Sequence, residues 1–166
     1  MSGSIVNAFK SAEQACYGFL LRTLEAQDGQ TAFCPRRPKS FDYKNQRCLW
    51  AFRMGAESGA APLDYEWNMG TPGGGDCPIE MIGASIEGFW KERDDAIHDY
   101  GLLRAALPIV EDSLAGVFRF RIRQVPSIVD AVYQREADLP QGNLIRGTGM
   151  TVPLEVWFHK APAGGG

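Results

Sequence analysis

Cys77 and His98 offer a thiol and an imidazole, the groups that make a thiolate nucleophile once a fold brings them together. Neither sits in a local catalytic signature, and an isolated cysteine commonly serves as a small buried hydrophobe. A denser group surrounds the histidine. Asp94, Asp95, His98 and Asp99 crowd one helical stretch, and spacings of four place Asp94 beside His98 and Asp95 beside Asp99. A metal would need a further ligand from elsewhere in the chain, and His159 is the only other histidine. Carboxylates in a first helical turn also simply complement the helix dipole. The glycine run from Gly70 to Asp76, G-T-P-G-G-G-D, invites a phosphate-loop reading. A phosphate loop needs Lys and then Ser or Thr after its glycines, where Asp76 and Cys77 stand instead. The run reads as a turn or a partner-contacting loop. With G-x-S-x-G, H-E-x-x-H and G-x-G-x-x-G all absent, the residues predict no catalytic, cofactor or metal site.

A row of arginines gives the stronger signal. In Val117–Val125, V-F-R-F-R-I-R-Q-V, alternation places Phe118, Phe120 and Ile122 on one side and Arg119, Arg121 and Arg123 on the other. On a strand those guanidinium groups line up ~7 Å apart and repel unless acids or a partner answer them. Two answers are open. One is ion pairing within the subunit, to Glu155 or to Asp64 and Glu66; the other is contact with another molecule. Trp157 poses the same choice. It lies opposite the apolar row Met150, Val152, Leu154, Val156 and Phe158, so it is either an interface anchor or is covered by a helix.

Bulk properties narrow the field. A chain of 166 residues with 45% hydrophobic and 22% charged residues has the makeup of one ordinary globular domain. A net charge of -3 provides no global attraction to nucleic acid or anionic lipid. Asn7, Lys10, Ser11, Glu13 and Gln14 break every short apolar run near the N-terminus, so neither a signal peptide nor a membrane span is expected. The four cysteines, Cys16, Cys34, Cys48 and Cys77, contain no C-x-x-C pair, and reduced thiols in a cytosolic compartment are the expectation.

These residues need elements to place them. Ser4 is positioned to cap a helix whose stripe runs Ile5, Phe9, Ala12, Cys16, Phe19, Leu20 and Leu24, with Gly29 as its stop. Arg36, Arg37 and Lys39 fall in a proline-bearing loop. Cys48–Met54 and Leu63–Met69 alternate and are expected to form an antiparallel hairpin, with Trp50 and Trp67 filling core. The stretch 77–88 fits a helix or a strand, and its glycines tip it towards a strand. Arg93–Leu107 is a predicted helix with Ile97, Tyr100, Leu103 and Leu107 on its inner face, closed by Pro108. Ser127–Gln134 fits a short helix. Pro153 predicts that the final strand lies at an edge or is bulged. The expected fold is α+β: one domain over residues 1–160, with two principal helices on a mainly antiparallel sheet of about four to five strands. A disordered Gly-rich tail is expected over 161–166.

This order resembles the small tail terminator and tail-completion (neck) proteins of long-tailed bacteriophages. The resemblance is carried by the opening helix Ile5–Leu24, W-A-F-R-M at Trp50–Met54 and I-E-G-F-W-K-E-R-D-D-A-I at Ile86–Ile97. It continues in L-L-R-A-A-L-P at Leu102–Pro108 and V-P-L-E-V-W-F at Val152–Phe158. The glycine run and the Arg36–Lys39 loop depart from it. The resemblance implies a non-enzymatic virion protein in the tail or neck, assembled in the host cytoplasm. Such a protein forms a homo-oligomeric ring, a hexamer, that caps the tail tube and joins it to the head-side connector protein, with DNA passing through the lumen and no membrane involved. Arg119, Arg121 and Arg123 would then meet Glu66, Asp94, Asp95 or Asp99 of the next subunit, with Trp157 also at the interface. Arg36, Arg37, Lys39, Thr71, Gly73, Gly74, Gly75 and Asp76 would dock on tube or connector. The alternatives are another head–tail connector subunit, or a small enzyme or ligand-binding module built on Cys77 and His98 under a glycine lid.

Overall fold

The computed structural model describes residues 2–25, 30–33, 44–55, 65–66, 79–114, 116–134 and 143–159. The Arg36–Lys39 loop, the glycine run, Cys34, Cys77, Asp64, Trp67, Gly29 and the tail 161–166 lie outside them. The elements are α1 (Ser2–Glu25), β1 (Gln30–Phe33), β2 (Cys48–Met54), β3 (Tyr65–Glu66), β4 (Ile79–Trp90), α2 (Arg93–Ala106), β5 (Ile109–Leu114), β6 (Val117–Ile122), β7 (Ser127–Tyr133) and β8 (Ile145–His159). They form an α+β domain with two principal helices on a mainly antiparallel sheet, as the patterning predicts.

β4 and β8 are the spine of that sheet. They pair antiparallel over twelve residues, from Ile79↔His159 to Trp90↔Thr148. The remaining strands pack outward from the spine in the order β1-β2-β4-β8-β6-β5, with β3 also on β4 and β7 also on β8. Since β8 occupies one edge of β4 throughout, β2 and β3 must share the other edge, one after the other. By the same reasoning β6 and β7 follow one another along the outer edge of β8, at 158–154 and 151–145. Among the described residues the sheet carries eight strand segments, more than the pattern resolves, because several are too short to show alternation.

Several expectations change. Cys48–Met54 does not form a hairpin with the segment around Tyr65, because both pair with β4, whose length gives each a place on the same edge. The stretch over 77–88 is strand from Ile79. Ser127–Tyr133 is β7 and not a helix; the open edge of β8 gives its backbone a ladder that outweighs a weak helical pattern. β8 is central, not an edge strand. Pro153 is accommodated because its carbonyl accepts from the Arg123 N–H at 2.8 Å, on the side where β6 ends and β7 has not begun. In an antiparallel strand a residue's N–H and C=O point the same way, so the missing donor falls at that break. Ser4 lies inside the first turn of α1, since helix begins at Ser2.

Both helices cover one sheet face. Ala12, Cys16, Leu20 and Leu24 of α1, with Ala96 and Leu103 of α2, pack on alternate residues of the strands: Cys48, Trp50, Phe52 and Met54; Ile82, Ala84 and Ile86; Met150, Val152, Leu154, Val156 and Phe158. Phe9 packs edge-on to Phe158 and Phe19 to Phe120, with ring centroids 6.0 and 6.2 Å apart. The inner stripe of α2 is Ala96, Asp99 and Leu103, continued by Leu107, whereas Ile97 is exposed. Asp99 and its buried partners draw that stripe inward and turn the helix by one position from the apolar prediction.

On the far face the backbones approach closely at Gly147. A Cβ on Gly147 would meet the Trp90 carbonyl oxygen at 2.3 Å and the Phe89 ring at 2.6 Å. Phe89 lies opposite Gly149 and packs with Leu49, Ala51, Ala131, Tyr133 and Ile145. Gly147→Ala is expected to lower stability by about 3 kcal/mol, because backbone and not a flexible side chain must move. A melting temperature lower by roughly 6–12 °C would register it. Burial, reinforced by the Glu13 charge, pushes the Cys16 thiol far above its ordinary 9.0. The unfolded thiol ionises first, so this contribution to stability is intact below pH 9.0 and falls as pH rises above it. Cys16→Ala should therefore flatten the alkaline limb of a stability–pH curve measured by urea unfolding.

Candidate interface on the second sheet face

The face turned away from the helices carries the arginine row. A bulge interrupts β6 between Val117 and Arg119, where the register on β8 slips by one residue. Val117 and Phe120 therefore enter the main core, while Phe118 turns to the second face and packs with Ile79, Met81 and Trp157. This corrects the simple alternation, which puts Phe118 beside Phe120 and Ile122. Arg119 stays on the second face opposite Trp157, and Arg121 opposite Glu155. Arg123 is exposed just beyond the strand end.

Arg119 and Arg121 have different anchors. The Arg119 guanidinium lies over the Trp157 ring, 5.5 Å from its centroid. Arg121 donates from Nε to Glu155 Oε1 at 2.9 Å, and its Nη2 lies 2.8 Å from the same oxygen. The Trp157 indole N–H also donates to Glu155 Oε1. A carboxylate that is nearly buried thus holds a cation and an indole in fixed positions, and Gly83, opposite Glu155 on β4, adds no side chain beside them. Trp157 is 7% exposed, covered by the strands' own side chains.

Between the cluster around Phe89 and the cluster around Trp157, the ladders bring a polar band together. The cross-strand rows Ala51–Glu87–Thr151, Arg53–Ser85–Pro153 and Gly83–Glu155–Arg121 set Glu87, Ser85, Arg53, Glu155 and Arg121 side by side. Ser85 donates to Glu87 at 3.3 Å. Sequence reasoning missed Arg53, Ser85 and Glu87. The available signal was that Arg53 is the one charge in C-L-W-A-F-R-M and Glu87 interrupts an otherwise apolar half of β4. The band can hold charged partners, but it does not assemble a nucleophile, a base and an orienting group.

The acidic helix residues are not together with the arginines. Asp99 is fully buried on the helix side, where Oδ1 accepts from Arg47 Nη2 at 2.9 Å and Oδ2 from the Trp90 indole at 2.8 Å. It cannot meet a neighbouring subunit, which corrects its place among the contact residues. Asp95 lies 3.7 Å from Arg47 Nη1, while Asp94 and His98 are exposed. Burial works against the Arg47 cation, but the hydrogen bond and charge of Asp99, with Cys48 and Asp95, hold its pKa above the ordinary value. Glu66 is described through its backbone pairing with Glu80. Among the described residues no group of three or more His, Cys, Asp or Glu could hold a metal, and no helix is long and apolar enough to cross a membrane.

In comparisons with known proteins, no family model and no curated protein matches this chain.

Asp99 joins α2, the end of β4 and the start of β2, so its removal strands two donors. Asp99→Ala is expected to cost about 3 kcal/mol, the low end for breaking a buried pair because Arg47 can partly rehydrate. Asp99→Asn, which keeps an acceptor, should cost less. Urea titrations of the two variants would check the order.

Proposed function

We propose that the chain is a structural assembly subunit of the tail-terminator kind it resembles. In this reading it forms a homo-oligomeric ring, a hexamer, in the neck of a virion, caps the tail tube and meets the head-side connector, with no catalytic step. The observation that carries the reading is the second sheet face. Cations there are positioned by Trp157 and Glu155 and flanked by apolar clusters. Arginine and aromatic side chains are the groups that concentrate at contact centres, and holding them rigid lowers the entropy lost on docking.

A closed ring needs two different complementary patches on opposite sides of one subunit. The arginines lie on the second face, and the acidic first turn of α2, with Asp94 and Asp95, lies on the helix side. The head-to-tail contact of this reading sets Arg119, Arg121 and Arg123 of one copy against Asp94 and Asp95 of the next. Asp99 takes no part.

Negative-stain imaging of the purified chain, alone and mixed with tail-tube protein, should show sixfold rings. Arg123→Glu should weaken association by at least about tenfold with no change in melting temperature, since the Arg123 side chain is exposed and only its backbone bonds to β8. Adding Asp94→Arg should restore it. Light scattering that finds a monomer both alone and with tail-tube protein would reject the reading.

A further inference from the structure

Four of the five large apolar side chains exposed among the described residues lie on β7 or next to its ends: Val125 (84%), Val129 (55%), Val132 (52%) and Leu144 (56%). Val129 and Val132 belong to β7, and Val125 precedes it by two residues. Leu144 adjoins Ile145, the ladder partner of Tyr133. Val129 and Val132 point to opposite faces of the β7 edge. That edge is open, because β7 pairs with β8 on one side and, among the described residues, with no strand on the other. Natural edges are usually blunted by lysine, proline or bulges. In S-I-V-D-A-V-Y there is neither Lys nor Pro, and Asp130 is the single charge.

The charge pattern selects the occupant. Asp130 and Val132 share a face, and Val132 lies opposite Arg146 on β8. Asp130 and Arg146 are both exposed, and among the described residues neither has an ion-pair partner. One acid and one base on the face of Val132, with Val129 exposed on the opposite face of the same edge, make a self-complementary edge, as an isologous contact requires. We propose that the free edge of β7 pairs antiparallel with β7 of a second copy of this chain about a twofold axis. An axis through Ala131 sets Val129 against Tyr133 of the second copy and Asp130 against Val132 of the second copy, so the two aspartates are not opposed. Arg146 of the second copy then lies two strand spacings, about 10 Å, from Asp130, a gap that an extended arginine side chain spans. The contact uses none of Arg119, Arg121 or Arg123 and does not depend on the ring reading.

Sedimentation velocity on the full chain should show a concentration-dependent twofold association, of monomers into dimers or of rings into ring pairs. Val129→Lys with Val132→Lys should weaken it by about 100-fold with an unchanged circular dichroism spectrum, since both side chains are exposed. Ala131→Cys, placed on the axis, should form a covalent dimer under mild oxidation in a yield that the unsubstituted chain does not reach. A monomer at all concentrations would overturn the proposal. So would a dimer that survives the lysine pair, or a monomer whose β7 amides are protected by residues 135–142 folding back over the edge. Loss of the dimer in the lysine variant, in a chain that forms no rings, would uphold this contact and reject the ring.

Discussion

The constraint on which the rest depends is that β8 is buried on both faces and paired along both edges. Fifteen residues of one strand supply the floor under α1, the ladder for β4, β6 and β7, and the ground on which the arginines are set. Burial of Val152, Leu154, Val156 and Phe158 on one side and of Glu155 and Trp157 on the other leaves little freedom of register. A slip of one residue would drive Glu155 into the helix-covered core and Phe158 out of it. Such a strand fixes its neighbours, which explains why a segment as weakly patterned as β7 can be a strand at all.

The two faces use that rigidity differently. The helix side is a close-packed aliphatic and aromatic layer, with one buried carboxylate, Asp99, tying α2 to the sheet through Arg47 and Trp90. The other side has no helix over it among the described residues. It covers itself with its own longer side chains and leaves charge between two apolar patches. Glu155 is the pivot there, because one buried oxygen positions both Arg121 and Trp157, and Trp157 in turn carries Arg119. An ion pair between a buried carboxylate and a half-exposed arginine is poor evidence of stability but serves well to hold a cation in one place.

Much of this was legible in sequence, and the failures have identifiable causes. The α1 stripe and the alternation of 150–158 are long and regular, so each declared its type. The Arg121–Glu155 pair was among the answers foreseen for the arginine row. The bulge at Phe118 was not, since alternation alone cannot report an extra residue. The inner face of α2 was misjudged because Asp99, a charged residue, is buried in preference to Ile97. That choice depends on Arg47 and Trp90, which lie 52 and 9 residues away in the chain. β7 was misread because its exposure pattern is irregular and its strand character comes from the ladder that β8 offers. Pro153 was read against its own strand, when the break it marks lies in the neighbouring lane.

Native-state hydrogen exchange resolved by residue tests the central role of β8 most directly. If β8 is the two-faced spine, amides over 148–158 and their β4 partners over 80–90 should open only with global unfolding, while the β7 ladder opens at lower free energy. Exchange of the 150–158 amides through a partial opening, with α1 and β2 still protected, would contradict it.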